Sequence, residues 1–178
     1  SKEALNIDGF GKKIVEKFWE LKLIRYPQDI FNLDFEKIRE LDGWGNLSVS
    51  NLKYAIEKSK KVSLDKFIYS LGIRHIGQEN AKLLAEHLKN VDSFYKLSKI
   101  DDIENLSNID GIGETQIQSI KNFFSKKINL NILKKLKANM EISDAIMSKK
   151  GGIFKNKTFM FTGKLREISR AEAKSLVE

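Results

Sequence analysis

The chain reads Asn6-Ile7-Asp8-Gly9-Phe10-Gly11 near its start, and the same short pattern returns three more times. The later copies are Glu40-Leu41-Asp42-Gly43-Trp44-Gly45, Gly72-Ile73-Arg74-His75-Ile76-Gly77 and Asn108-Ile109-Asp110-Gly111-Ile112-Gly113. Their last glycines lie 34, 32 and 36 residues apart. Such spacing is typical of one supersecondary unit used repeatedly. We number the four copies as hairpins 1 to 4.

Each copy stands between apolar patterns with helical spacing, such as Ile14, Val15 and Phe18 after hairpin 1. Two helices joined by a very tight turn need backbone angles that a Cβ atom disfavours, which explains the first glycine. The residue between the glycines can fill the gap between the two helices, and the second glycine begins the next helix. The pattern predicts a compact, mainly α-helical domain built from four tandem helix-hairpin-helix motifs.

The helix that follows each hairpin begins in a way that suits an anion. Its first N–H groups have no partner inside the helix, and the helix dipole adds partial positive charge there. A glycine at this point lets another molecule approach the backbone closely. A single Gly-x-Gly is more typical of a plain turn. Four at similar spacing favour contact with successive phosphates of a nucleic-acid backbone.

Two of the hairpins also carry cations. Lys12 and Lys13 follow hairpin 1 in the first helical turn, where cations oppose the dipole unless an anion binds beside them. In hairpin 3, Arg74 and His75 replace the Asp-Gly of the other copies, and an arginine suits a phosphate or a narrow minor groove. The alternatives are lysines that only face solvent, an ion pair of Arg74 within the protein, and a structural His75.

Hairpins 2 and 4 offer amides only and rank lower as phosphate sites. Asn46 and Leu47 follow hairpin 2 without a cation, and Glu114 follows hairpin 4. The aspartates recur once per copy, which fits turn residues with local hydrogen bonds better than catalysis. These aspartates are Asp8, Asp42 and Asp110. No residue of the chain is predicted to be catalytic.

Composition excludes several classes of site. The chain has 178 residues, a net charge of +8, no cysteine and two histidines. Disulfides, thiolate zinc sites and a cysteine nucleophile are therefore excluded, and two histidines alone cannot build a metal site. No apolar run approaches the roughly 20 residues of a membrane-spanning helix. Residues 1–70, 71–147 and 148–178 carry net charges of +2, +1 and +5, so bulk attraction is not the main means by which the front section would bind nucleic acid.

The texture of the sequence changes after the hairpins. We predict a helical domain over residues 1–139 and a linker over 140–152, where the helical pattern is lost. Residues 153–178 read as a strand, a turn and a helix, the start of a separate α/β module that is too short to bury a core. The chain opens without a methionine, so we expect a piece of a longer protein.

Two hairpin segments closely resemble the tandem helix-hairpin-helix domain of bacterial NAD-dependent DNA ligases. They are Ala4-Leu5-Asn6-Ile7-Asp8-Gly9-Phe10-Gly11 and Leu71-Gly72-Ile73-Arg74-His75-Ile76-Gly77. Two later segments resemble the start of that family's BRCT domain, namely Lys157-Thr158-Phe159-Met160-Phe161-Thr162-Gly163 and Ser169-Arg170-Ala171-Glu172-Ala173-Lys174. The resemblance implies a parent enzyme that seals nicks in duplex DNA during replication and repair, and a C-terminal part that binds DNA without doing chemistry.

The resemblance also implies contacts with the backbone of duplex DNA along the minor groove. Carried over by motif, the implied DNA contacts are Gly9, Gly11, Lys12, Lys13, Gly43, Gly45, Arg74, His75, Gly77, Gly111 and Gly113. One departure concerns Leu47, because many family members carry a cation there. A second departure is the early end of the BRCT-like part, whose surface beyond Thr162 and Gly163 is missing.

Cofactors and partners follow from the same resemblance. The parent enzyme is expected to use NAD, magnesium and a structural zinc, all held outside this chain, which itself binds no cofactor. Its partners would be nicked double-stranded DNA and the other domains of the ligase, and it would be a monomer in the bacterial cytoplasm, associated with the nucleoid. Two alternatives stay open: a helical protein-interaction scaffold, in which the glycine turns are only structural, and the DNA-binding tail of a repair nuclease.

Overall fold

The computed structural model describes residues 4–145, apart from the side chains of residues 100 and 101. The described part is mainly helical, as predicted, with two short strands and two 3₁₀ helices at Pro27–Asn32 and Asn105–Asn108. The α-helices are α1 (Lys12–Glu20), α2 (Phe35–Arg39), α3 (Asn46–Ser59), α4 (Leu64–Ser70), α5 (Gln78–Leu88), α6 (Val91–Lys96), α7 (Ile100–Glu104), α8 (Glu114–Phe124) and α9 (Lys127–Asn139). The strands are β1 (Lys61–Ser63) and β2 (Glu141–Ser143).

All four hairpins form the same tight turn. In each, the N–H of the residue between the glycine positions donates to the carbonyl three residues earlier, at 3.0 Å. The pairs are Phe10 with Ile7, Trp44 with Leu41, Ile76 with Ile73, and Ile112 with Ile109. The third turn residue has φ between +61° and +88°, as in a type II turn. The predicted tight turn followed by a helix is confirmed at every copy. The predicted helix before the turn is found as α2 and α4 at hairpins 2 and 3 and as a 3₁₀ helix at hairpin 4, but residues 4–10 before and within hairpin 1 form no helix.

Hairpin 3 reaches the same turn without a glycine in the third position. His75 takes φ +61° there, where the other copies have glycine. A residue with a Cβ atom in this region costs about 1–2 kcal/mol. The side-chain amide of Asn80 donates to the His75 carbonyl at 3.1 Å and so helps to hold the turn. His75 therefore has a structural role in the turn, whatever else it contacts.

Phe18 joins hairpins 1 and 2. Phe18 lies in the last turn of α1. Its ring is fully buried and lies 5.7 Å from the ring of Phe10 and 5.5 Å from that of Trp44, measured between centroids. Phe10 and Trp44 are the residues between the glycines of the two hairpins, and both pack against α1 through Phe18. The Lys17 ammonium donates to the Asp42 carbonyl at 3.2 Å and adds a polar link between the same hairpins.

Hairpins 3 and 4 are held together by aliphatic packing and by an aromatic cluster. Leu83 of α5 lies against Gly111, where a Cβ atom would come within 2.9 Å of its Cδ1. Phe94 of α6 is fully buried, with its ring centroid 6.2 Å from that of Phe67 and 5.3 Å from that of Phe124. These rings belong to α6, α4 and α8, so the second pair of hairpins shares one core.

The contact between Leu83 and Gly111 predicts that equivalent glycine substitutions lower the free energy of unfolding by different amounts. Gly9→Ala is expected to lower the free energy of unfolding by about 1–2 kcal/mol, because φ is +76° and the added Cβ meets open space. Gly111→Ala should cost about 1 kcal/mol more, because its Cβ would also press on Leu83. Urea unfolding of the two variants measures the difference, and equal costs would contradict the close packing at Gly111.

Polar contacts attach α9 to α6. The Tyr95 hydroxyl donates to the Leu133 carbonyl at 2.8 Å, and burial raises the pKa of Tyr95 above its usual range. The Lys137 ammonium hydrogen-bonds Asp92, lowers the pKa of that carboxyl group, and lies 5.1 Å from the centre of the Tyr95 ring. These contacts lie on the last helix before β2 and outside the four hairpins.

The linker prediction was wrong for residues 140–145. Met140 is buried, and β2 pairs in parallel with β1, so that Val62 lies opposite Ile142. The Ala145 N–H then donates to the Lys89 carbonyl at 2.8 Å. These backbone hydrogen bonds tie the segment to the helical domain, although its side-chain pattern resembles a loop. The rest of the predicted linker, residues 146–152, and the BRCT-like segment 153–178 lie outside the described residues.

Candidate nucleic-acid interface

The second glycine of every hairpin is the residue from which the next helix begins. Gly11, Gly45, Gly77 and Gly113 are the N-caps of α1, α3, α5 and α8. All four have extended backbone, with φ between −76° and −98°. Any residue adopts these angles, and they are usual for an N-cap. The prediction that each second glycine begins a helix is confirmed.

Three of these N-caps are open on the side where a side chain would stand. A Cβ atom built at Gly11, Gly45 or Gly77 meets no atom within 4 Å. None of the three helix starts has a side-chain capping hydrogen bond. The fold therefore does not require glycine at these positions, and their first N–H groups are open to an external acceptor.

Hairpin 4 differs from the other three. The Gly113 N–H already donates to the Gln116 side chain at 3.2 Å, and Leu83 packs on Gly111. Glu114 adds a negative charge in the first turn of α8, where it stabilises the helix without a bound anion. Gly113 is thus hydrogen-bonded within the protein, and Gly111 is closely packed against Leu83. This hairpin is the least suited of the four to an anion.

Hairpin 1 presents two exposed lysines at its open helix start. Lys12 is 90% exposed and forms an ion pair with Glu16 at 3.7 Å, a contact of the kind that contributes less than about 1 kcal/mol. Lys13 is also exposed, and no ion-pair partner for it is found among residues 4–145. The first turn of α1 contains no acidic residue. A phosphate at the Gly11 amides would therefore lie beside two exposed cations and no acidic residue of the first turn.

In hairpin 3, the guanidinium of Arg74 is exposed, and within the described part of the chain it forms no ion pair. The alternative of a structural ion pair for Arg74 is therefore not supported. Glu79 lies in the first turn of α5 and opposes an anion at the Gly77 amides. Arg74 thus faces solvent near the open start of α5. Its attraction for an anion there has to exceed the repulsion by the Glu79 carboxylate.

Hairpins 1 and 2 border a common cleft of about 590 Å³. Gly9 and Gly43 both line it, together with Asn51 and Tyr54 of α3. The two turns therefore lie side by side, and the first turn of α3 has no acidic residue. The two side chains of α3 were not singled out from the sequence, because single exposed residues at helical spacing carry no signal of their own.

Two other kinds of feature are absent from residues 4–145. No helix there is long and apolar enough to cross a membrane. The histidine, aspartate and glutamate side chains of the same residues form no group of three or more that could hold a metal ion.

The three turn aspartates make no side-chain hydrogen bond within this part of the chain, so the predicted local bonding of Asp8, Asp42 and Asp110 was wrong.

Comparison with known proteins agrees with this architecture. A family described as helix-hairpin-helix motif matches residues 66–133, which contain hairpins 3 and 4. The chain is 65% identical over 178 residues to the DNA ligase of Pelagibacter ubique, covering all of this chain and 26% of that protein. It is 43% identical to the DNA ligase of Wolbachia pipientis, with 98% of this chain and 27% of that protein covered.

The DNA ligase of Rickettsia typhi gives 42% identity over 190 residues, with all of this chain and 27% of that protein covered. The chain thus spans about a quarter of the length of the curated relatives that it matches. The resemblance to bacterial DNA ligases, stated from the hairpin residues, is confirmed. The chain contains a helix-hairpin-helix motif and is homologous, over its whole length, to a segment of bacterial DNA ligases.

Proposed function

We propose that the described domain binds duplex DNA without sequence preference and serves as the DNA-binding part of a ligase. The observation that carries this proposal is the set of three N-cap glycines that the fold does not require, Gly11, Gly45 and Gly77. Where neither the backbone angles nor the packing of the domain calls for glycine, a partner that comes close to the backbone explains its presence. The homology to DNA ligases makes the phosphates of DNA the natural partner.

The binding chemistry is shared between amides and cations. The amides of an open helix start bind phosphate oxygens through short hydrogen bonds strengthened by the dipole. Lys12, Lys13 and Arg74 add charge at hairpins 1 and 3. Amides contact phosphates whatever the base, so affinity should tolerate changes of sequence. Hairpin 4 does not belong to the proposed contact set, because the Gly113 N–H is bonded to Gln116, Leu83 packs on Gly111, and Glu114 lies in the first turn of α8.

For the whole enzyme, we propose an NAD-dependent ligase that seals nicks in replication and repair. The names of the relatives support ligation, and NAD dependence rests on the resemblance of the hairpin segments to that family. NAD, magnesium and a structural zinc would be held outside this chain, which has no cysteine to offer the zinc. The partners would be a nicked duplex and the enzyme's other domains, and the protein would act as a cytoplasmic monomer.

Reversing the charge of both lysines at hairpin 1 tests this function. The variant Lys12→Glu with Lys13→Glu is expected to weaken duplex binding about tenfold or more, on the order of 1.4 kcal/mol. The measurement is a titration of nicked and intact duplexes at two salt concentrations. Each phosphate neutralised by a cation contributes a slope near −0.9. Because neutral amides make many of the contacts, the wild-type slope should be shallow and the variant's shallower.

The matched control makes the same charge change on α9. Lys134 and Lys135 are exposed on that helix, which forms none of the hairpins. Lys134→Glu with Lys135→Glu changes the net charge equally and should weaken binding much less. Equal losses in the two variants would mean that bulk charge, and not hairpin 1, drives binding. Absence of duplex binding by the wild-type chain at low salt would overturn the proposed function.

One observation favours a second function, contact with another protein. Val15, Trp19, Leu21 and Tyr26 are exposed apolar side chains within a short stretch of α1 and the loop after it. Arg25 lies over the Trp19 ring at 5.0 Å. Such a patch is typical of a protein interface. The scaffold hypothesis predicts a folded domain with no duplex affinity at low salt, so the titration above separates the two functions. A nuclease tail is disfavoured, because the relatives reported above are named DNA ligase.

A further inference from the structure

An exposed stripe on α3 has no covering partner among residues 4–145. Leu47 and Tyr54 are 75% and 72% exposed, the largest values among the large hydrophobic side chains of the described residues. They are seven residues apart, two helical turns along the same face, with Asn51 between them. The buried face of α3 is formed by other residues, such as Leu52 and Ile56. We call Leu47, Asn51 and Tyr54 the α3 stripe.

The α3 stripe begins at the open helix start of hairpin 2. Leu47 is the second residue after the N-cap Gly45. Its counterparts after the other hairpins are polar or charged, namely Lys13, Glu79 and Thr115. From Leu47 the stripe continues along the cleft that Gly9 and Gly43 border, which Asn51 and Tyr54 line. Hairpin 2 thus combines open amides with an apolar surface in place of a cation.

We infer that the α3 stripe contacts the deoxyriboses next to a phosphate held at hairpin 2, and that Leu47 makes binding selective for deoxyribose over ribose. The inference rests on the proposed function, because the amides of hairpin 2 must hold a phosphate for the sugars to come near. Every backbone phosphate lies between two sugars, and their carbon atoms are the apolar part of the strand. A leucine side chain has no donor or charge with which to bind a phosphate. The apolar surface that it can cover is therefore that of the sugar.

Selectivity follows from the 2′ position. Deoxyribose presents a methylene group there, which a leucine side chain can cover without breaking a hydrogen bond to water. Ribose presents a hydroxyl group that donates and accepts hydrogen bonds. Under a leucine this hydroxyl would lose its water and gain no partner, which disfavours binding. A lysine at position 47 would instead bind phosphate through its charge and would leave both sugars hydrated.

The test compares an all-DNA duplex with the same duplex carrying isolated ribonucleotides. The wild-type chain should bind the all-DNA duplex about threefold or more tightly than the ribonucleotide duplex. Leu47→Ala should weaken binding of the all-DNA duplex and bring the two affinities close together. Leu47→Lys should also remove the difference but raise both affinities. Tyr54→Ala should act as Leu47→Ala does, less strongly.

Ile128→Ala is the matched control, because Ile128 is an exposed aliphatic residue of α9 outside the hairpins. It should leave both affinities unchanged. If the wild-type chain binds both duplexes equally, or if Leu47→Ala keeps the wild-type ratio, the inference fails while the proposed function stands. If the wild-type chain binds neither duplex at low salt, the proposed function fails and the inference with it. Leu47 and Tyr54 are exposed, so these variants should fold.

Discussion

The double substitution Gly11→Asp with Gly77→Asp is expected to lower the affinity for duplex DNA at least about a hundredfold and to leave the domain folded. The two positions begin α1 and α5, the helices that follow hairpins 1 and 3. These substitutions separate folding from binding, because an aspartate carboxylate at an N-cap stabilises the helix but competes with a bound phosphate.

The folding side of this prediction follows from the backbone. Both glycines have φ near −80° and extended ψ, and a Cβ atom at either meets open space. Aspartate is among the best N-cap residues, because its carboxylate accepts hydrogen bonds from the first N–H groups and complements the dipole. The free energy of unfolding should therefore stay the same or rise by up to about 1 kcal/mol for each substitution.

The binding side follows from the same carboxylate. It would occupy the amides that the proposed function assigns to a phosphate, and it would repel the phosphate by charge. A tenfold loss at each of two separate sites corresponds to about 1.4 kcal/mol each, and effects at distant sites add. Fluorescence anisotropy with a labelled duplex gives the affinity, and urea unfolding gives the stability of the same samples.

Gly113→Asp is the matched control for this pair of substitutions. Gly113 has the same extended backbone, but its N–H is already bonded to Gln116. Because hairpin 4 is outside the proposed contact set, this variant should change the affinity by less than about threefold. Unchanged affinity of the Gly11 and Gly77 double variant would refute phosphate binding at the open helix starts. A loss in Gly113→Asp as large as in the double variant would extend the interface to hairpin 4.

The turns and helix starts were predictable from the sequence because they depend on local chemistry. Gly9 and Gly43 have positive φ, and Gly11 begins a helix, as the repeated pattern predicts. Turn geometry of this kind is set within four residues, so a short pattern is enough to recognise it. Local chemistry also explains the start of α2, where the Asp34 side chain caps the helix by accepting a hydrogen bond from the Lys37 N–H.

Contacts between distant parts of the chain were not predictable in this way. The pattern gave no sign that Leu83 packs on Gly111, or that residues 141–143 pair with β1. Both depend on how separate helices and strands meet, which single-sequence periodicity does not encode. The positive φ of His75 is an intermediate case. The repeat aligns His75 with a glycine, but glycine is only preferred there, and Asn80 makes the exception tolerable.

Phe18→Ala is expected to lower the free energy of unfolding by about 3–5 kcal/mol. The side chain is fully buried, and its ring is in contact with those of Phe10 and Trp44. Truncation leaves a cavity at the junction of hairpins 1 and 2, and the surrounding rings can collapse into it only in part. Domains have a total stability of about 5–15 kcal/mol, so this one change removes a large share of it.

Urea unfolding measures the loss, with tryptophan fluorescence as the signal because Trp44 lies against the deleted ring. Phe123→Ala is the control, since Phe123 is a phenylalanine of α8 that is only half-buried and should cost less. A cost for Phe18→Ala no larger than that for Phe123→Ala would contradict its place at the junction of hairpins 1 and 2.

The binding of the folded fraction of Phe18→Ala then tests why the hairpins are paired. Phe18 fixes the Gly11 amides of hairpin 1 relative to the Gly45 amides of hairpin 2. Two phosphate sites on one rigid unit bind a strand more tightly than two sites that move independently, because the second contact costs less entropy. The folded variant should therefore bind duplex DNA more weakly although it keeps every contact residue. Wild-type affinity in the folded variant would mean that the two hairpins bind DNA as independent sites.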